Sequence, residues 1–198
     1  MTTVHGQEHD PMSLVKGWKH FVTITRHRWL VRQGCFRVGL YWQGLTHDLS
    51  KYSPTEFASG MRYFQGTRSP NTAEREVKGY SEAWMHHKGR NRHHYEYWSD
   101  LSRETRQYEY VPMPRKYLVE MVMDRRAACM VYQGDAYTPG SALEYLEKSR
   151  EKSLMNQKTR KELHYILTML RDEGEEKTFR YLREHVLKGK PFPWEQDA

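Results

Sequence analysis

Cysteine is scarce in this sequence. Cys35 and Cys129 are the only two in 198 residues, and no CxxC or Cys-His spacing surrounds them. That excludes a disulfide framework and a zinc-finger type of structural site, and it fits a reducing cytoplasm. Long hydrophobic runs are missing too. Charge interrupts every apolar stretch within a few residues, so no membrane-spanning helix and no membrane partner are expected. The opening MTTVHGQEHD carries acid where a secretory leader carries base, so export is not expected either. There is no excess of acid: 32 Lys and Arg stand against 25 Asp and Glu, a net charge of +7. Such a balance favours anionic partners, among them nucleotides, acidic metabolites and nucleic acid. The bases (Lys16, Lys19, Arg26, Arg28, Arg62, Arg90, Arg92, Arg125, Arg126) are dispersed and form no arm or block. Nucleic acid is therefore not the favoured partner, and the bases read as a positive field around a pocket. Period-two alternation long enough for a strand is also absent, as are repeats and low-complexity segments.

Helix signals fill the chain instead. Leu14, Trp18, Phe21, Val22, Trp29 and Leu30 recur at helical steps from Ser13 to Gln33, with Gly34 expected to close the first helix. A second helix is expected from about Cys35 to Leu49, with Gly39 and Gly44 marking close helix approach. Ser53-Pro54-Thr55-Glu56 combines an N-cap serine, proline at the first helical position and a reaching-back Glu, so a third helix opens at Pro54 and ends near Gly66. Thr72 is placed to cap a fourth helix running to His87, broken at Lys88-Gly89-Arg90-Asn91. A short fifth follows from His93 to about Leu101, and Pro114 opens a sixth that stops at Gly134. Three more are expected over Pro139 to Lys152, Met155 to Glu173 and Glu175 to Leu187. Abundant aromatics, six Trp, fourteen Tyr and six Phe, supply the buried area that a core needs. The architecture this predicts is all-α, a single-domain irregular helical bundle. It occupies residues 13–188, between a flexible 1–12 and a loose tail at 189–198.

The chemistry is carried by histidine and carboxylate. Among eleven histidines, His20 and His27 lie two turns apart on one face, His47 adjoins Asp48, and His86-His87 and His93-His94 flank the Gly89 break. Asp124 and Glu120 sit on the sixth helix as carboxylates that can close the site. Imidazole with carboxylate suits Mn, Fe, Co, Ni or Zn better than Ca or Mg. An antiparallel first pair of helices would bring His27 alongside His47.

The order His27…His47-Asp48…Asp124 resembles the H…HD…D ligand set of the HD superfamily of metal-dependent phosphohydrolases. His47-Asp48-Leu49-Ser50-Lys51 looks like that superfamily's HDxGK variant with Ser50 in place of glycine. Over about residues 14 to 187 the chain is also similar to an uncharacterised bacterial and phage family, which brings no substrate with it. The HD resemblance implies an HD-type fold and a divalent-metal site of one or two ions held by His27, His47, Asp48 and Asp124. It further implies two histidines for a second ion, His87 and His94, with His86 and His93 as their alternates. Asp48 would bridge the pair and act with Lys51, Arg90 and Arg92 in catalysis, while Lys51, Arg90, Asn91 and Arg125 would hold a phosphate. Glu120 is the alternate to Asp124, and His20 is either a further alternate ligand or a buried, hydrogen-bonded residue. Glu56 reads as a capping residue.

Three functions are compatible with these residues. The leading expectation is hydrolysis of a phosphomonoester or phosphodiester by metal-activated water, the substrate being a nucleotide or another small phosphorylated metabolite. The others are a di-iron oxygenase-like protein and a non-catalytic module in which metal staples helices that bind nucleic acid or a protein partner.

Overall fold

The computed structural model describes residues 13–149 and 154–196. The expected flexible segment 1–12 and the end of the helix expected to reach Lys152 lie outside the described residues. Within them the fold is all-α apart from one small hairpin. Ser13 caps α1 (Leu14–Arg37) by accepting from Lys16 N. The helix does not stop at Gly34. That glycine is buried, and a Cβ there would meet Met123 Sδ at 2.7 Å, so it is a close-approach residue against the helix that carries Met123. The chain leaves the helix at Val38–Gly39, and Gly39 has a φ of +87°.

The second helix is shorter than expected. α2 (Tyr41–Thr46) ends at His47, whose ψ of 125 is extended, and Asp48 is left-handed at φ 52. A 3-10 turn (Leu49–Tyr52) leads to α3 (Pro54–Tyr63), where Ser53 accepts from Glu56 N as expected of the N-cap, whereas the Glu56 carboxylate, expected to reach back, faces His86 and His87. The expected fourth helix is two, α4 (Pro70–Lys78) and α5 (Glu82–Lys88). Gly79 at φ 82 ends the first, and the Ser81 hydroxyl accepts from Trp84 N to start the second. The short fifth helix expected from His93 to about Leu101 does not form. A 3-10 turn (Tyr95–Tyr97) passes into β1 (Ser99–Leu101), which pairs antiparallel with β2 (Tyr108–Tyr110), Asp100 opposite Glu109. Strands of three residues are too short for alternation to be read from sequence.

α6 (Arg115–Gln133) is the central rod and packs along α1, α7 (Ser141–Lys148) and α8 (Gln157–Tyr181). Its Leu118, Val122 and Met123 meet Val31 and Cys35 of α1 and Leu163 and Leu167 of α8 in one core. The break expected at Gly174 is a kink within α8, where that residue has φ 76 and ψ 177. Of the segment 189–198 read as a loose tail, the described part, 189–196, packs on the core, and its last two residues lie outside the described residues. Phe192 is fully buried, stacked on Trp194, and Arg115 donates to Lys190 O and Glu195. The two thiols are free, as the spacing requires. Among the described residues, no helix is long and apolar enough to cross a membrane.

Candidate metal centre

Asp48 is the hub. Its side chain is fully buried, and its two oxygens face different imidazoles. On one side Oδ2 lies 3.4 Å from His47 Nε2 and 3.8 Å from His27 Nε2, with Lys51 Nζ at 2.7 Å. Asp124 Oδ1 completes this group, 2.9 Å from His27 Nε2 and 3.4 Å from His47 Nε2. On the other side Oδ1 lies 3.3 Å from His87 Nε2 and 3.4 Å from His93 Nε2. His94 stacks at the edge of this second group, its ring 4.1 Å from that of His93. Two sets of donor atoms close enough to share an ion therefore meet at Asp48: His27, His47, Asp48 and Asp124, and Asp48, His87, His93 and His94.

The local fold explains the convergence. His27 projects from α1 and Asp124 from α6, and the Gly34–Met123 contact brings these helices together. Asp48's left-handed backbone turns its carboxylate inward between them, a conformation Asp tolerates better than most residues. His87 comes from the last turn of α5, and His93 and His94 from the loop after it. Behind the imidazoles stands a layer of carboxylate. Glu120 Oε1 lies 2.9 Å from His47 Nδ1 and 3.2 Å from His93 Nδ1. Glu56 takes His87 Nδ1 on one oxygen and His86 Nδ1 on the other, both at 2.7 Å. Glu120, offered by the sequence as an alternate to Asp124, stands behind the rings where it can orient them, and with His47 and His93 it forms a third group of donor atoms close enough to share an ion. Glu56 was read only as a cap, but it is buried and serves the same purpose.

Electrostatics follow from this crowding. Burial pushes the Asp48 carboxyl up, but His47 and Lys51 hold it well below the usual range, and Asp124 is held down in the same way by hydrogen bonds from His27 and His47. Burial and the Lys51 charge lower His27, and burial with neighbouring His93 and His87 lowers His94, so both present neutral imidazole. Burial opposes protonation of His47 as well, but Asp48, Asp124 and Glu120 together raise it; His87 is raised chiefly by Asp48 against the same burial. The Asp48 oxygens and the Nε2 atoms of His47, His93 and His94 lack a hydrogen bond of good geometry, although Oδ2 has the Lys51 ammonium at 2.7 Å and His47 Nε2 has Asp124 Oδ1 at 3.4 Å. Buried polar atoms left in this state are costly and rare. Anionic oxygens interleaved with imidazole nitrogens are the donor set of a divalent transition metal, and the residues fit one.

A cavity of about 690 Å³ opens onto the centre. His27, Lys51, His87, His94 and Asp124 line it, together with Arg125 from α6 and Arg68 and Arg75 from the α4 region. Phe64, Trp84 and Tyr132 supply its apolar wall. Other residues expected at the site lie elsewhere. Arg90 is exposed and caps its own helix by donating to His86 O, and exposed Arg92 donates to the Tyr117 hydroxyl and lies over the Tyr97 ring. Asn91 is buried and ties Ser50 Oγ to His87 O. None of these three lines the cavity. His86 turns to Glu56, away from Asp48, and His93, expected only as an alternate, joins His87 on Oδ1. His20 lines the cavity but belongs to neither donor group. It packs between Phe57 and Phe64, its Nδ1 has no hydrogen-bond partner, and burial with the Lys51 charge pushes it down to about 4. Arg68, Arg75 and Glu56 were missed. Arg68 lies in the loop before α4, whose path periodicity does not describe, and Arg75 is carried on α4 beyond it; the capping pattern already accounted for Glu56.

Residues 16–169 match a family of unknown function, DUF5662. The chain belongs to that family. The matched span includes every ligand candidate from His27 to Asp124 and both orienting carboxylates, so the centre lies inside the family's own region. The Phe192–Trp194 segment that closes the core falls beyond it. No curated protein and no solved structure matches the chain.

Proposed function

We propose that the protein is a metal-dependent phosphohydrolase of the HD type, holding two divalent transition ions and acting on a nucleotide or another small phosphorylated metabolite. One observation carries this reading: the buried, partner-poor oxygens of Asp48, one facing His27, His47 and Asp124, the other facing His87, His93 and His94. A carboxylate shared between two such donor sets is the natural bridge of a dinuclear site. When bound, such ions polarise a phosphoryl group and lower the pKa of water.

The chain's own residues supply the rest. Lys51 stands at the cavity wall beside Asp48 and is placed to neutralise charge that develops on phosphate oxygens; burial works against its charge, but Asp48 raises it, so it stays cationic. Arg125 lines the same wall, and Arg68 and Arg75 line it with the α4 loop. The volume is that of a cavity that takes a small ligand, and its aromatic wall gives a planar group a surface to rest on. Glu56 and Glu120 stand on the Nδ1 side of the imidazoles and would keep the rings oriented.

The test is a phosphate-release assay on protein loaded with Mn²⁺, Co²⁺, Ni²⁺, Fe²⁺ or Zn²⁺, using a panel of nucleoside mono-, di- and triphosphates, sugar phosphates and a chromogenic phosphodiester. Turnover lost in His47→Ala and Asp48→Asn supports the reading. Turnover that survives in those variants, or oxygen uptake by the iron form in place of phosphate release, overturns it.

A further inference from the structure

The carboxylates behind the imidazoles differ in what they connect. Glu120 accepts from two rings through one oxygen, Oε1, and those rings face opposite oxygens of Asp48. His47 Nε2 is 3.4 Å from Oδ2, and His93 Nε2 is 3.4 Å from Oδ1. The two rings lie 4.3 Å apart and tilted by 36°. Glu56 reaches only one ring that faces Asp48, that of His87, on the Oδ1 side; its other oxygen holds His86, which belongs to neither donor set.

An imidazole that donates from Nδ1 to a carboxylate is fixed in rotation, and its Nε2 is left unprotonated and pointed at the ion. Where one oxygen fixes two rings, neither ring can turn without disturbing the acceptor of the other. Glu120 is buried and its neighbours Val119, Met121 and Val122 are core residues of α6, so its position is set by a helix packed into the core.

We propose that Glu120 is a positioning residue that couples the two ion sites, so that the affinity of each depends on the same carboxylate, whereas Glu56 tunes only the site served by His87. This rests on the dinuclear reading of Asp48 given above. It adds an expectation which that reading does not contain: removing one residue that touches neither ion weakens both.

The experiment is calorimetric titration of chelator-stripped full-length protein with Mn²⁺, with bound Mn²⁺ counted by electron paramagnetic resonance. Wild type, Glu120→Ala, Glu120→Gln and Glu56→Gln are compared, and circular dichroism melts of the stripped forms check folding. Glu120→Ala is expected to weaken both sites together by about 10–100-fold. Glu120→Gln keeps an acceptor oxygen and should fall between Ala and wild type, an ordering that mere packing would not produce. Glu56→Gln should weaken one site and leave the other. If Glu120→Ala does not fold, the comparison of Glu120→Gln with Glu56→Gln decides. Two sites of wild-type affinity in the Glu120 variants overturn the proposal, as does loss of a single ion, which would make Glu120 a direct ligand with the Nδ1 atoms of His47 and His93. Wild type binding fewer than two ions overturns the dinuclear reading itself and the coupling with it.

Discussion

At the scale of the residue, the account turns on Asp48 and its neighbour in the 3-10 turn, Lys51. The pair His47-Asp48 was legible as a ligand motif, but its backbone was not. A helix of 3.6 residues per turn would point the two side chains about a hundred degrees apart, whereas the left-handed Asp48 lets them converge. Sequence spacing has least to say where the chain leaves helix. In the loop after α5, neighbouring side chains have no fixed periodicity, so His93 could not be separated from His94, and Arg90 and Arg92, placed at a phosphate by motif order, turn to His86 O and Tyr117 instead. Lys51 and Arg125 are the expected cations that line the cavity. Lys51→Ala removes a charge-assisted contact of about 1.5–3 kcal/mol. KM for the phosphorylated substrate is expected to rise about 10–100-fold with ion stoichiometry unchanged, as steady-state kinetics beside metal analysis will show. An unchanged KM would remove Lys51 from substrate binding.

Elements matter because the centre is only as precise as the packing of α1 on α6. Gly34 was legible as a special position, yet its meaning was inverted: a helix stop was expected, and the helix passes through because Met123 occupies the space of its missing Cβ. Gly34→Ala would gain about 1 kcal/mol of helix propensity but overpack a buried contact at about 1–3 kcal/mol. Tm is expected to fall by about 2–4 °C for each net kcal/mol. Ion affinity should fall too, since the same contact sets His27 against Asp124 at 2.9 Å. A variant with wild-type melting and wild-type ion binding would show that the helix spacing is not held there. The same two helices are also tied to α8 by Glu175, which accepts from Arg126 Nε at 2.5 Å and Arg37 Nη1 at 2.7 Å. Burial pushes its carboxyl up, but the hydrogen bonds from Arg126 and Arg37 hold it below the ordinary 4.5. A depressed folded value gives stability that is present above the unfolded value and lost as pH falls through the folded one. Glu175→Gln should therefore be about 1–2 kcal/mol less stable than wild type at pH 7, the gap closing below about pH 4 in urea melts. A gap that persists at low pH would mean the charge is not its source.

At the scale of the whole molecule, the all-α class and most helix starts were readable, because caps, proline and the 3.6 period are local signals. The packed end at Phe192 and the hairpin were not, since long-range burial and three-residue strands leave no periodic trace. The ligands come from α1, the turn after α2, α5, the loop beyond it and α6, so an ion here joins segments far apart in sequence. Ions that bind only the folded chain stabilise it by mass action, about 2.7 kcal/mol per site at a concentration 100-fold above Kd. Chelation is therefore expected to lower Tm and added Mn²⁺ to restore it. A melting curve indifferent to both would exclude a centre that joins these elements.

The most direct measurement is an anomalous difference map from crystals grown with Mn²⁺, collected on both sides of the manganese absorption edge. The account predicts two peaks about 3.5–4 Å apart flanking the Asp48 carboxylate, one among His27, His47 and Asp124 and the other beside His87 and His93. A single peak, or one lying between Glu120 and the Nδ1 atoms of His47 and His93, would contradict it.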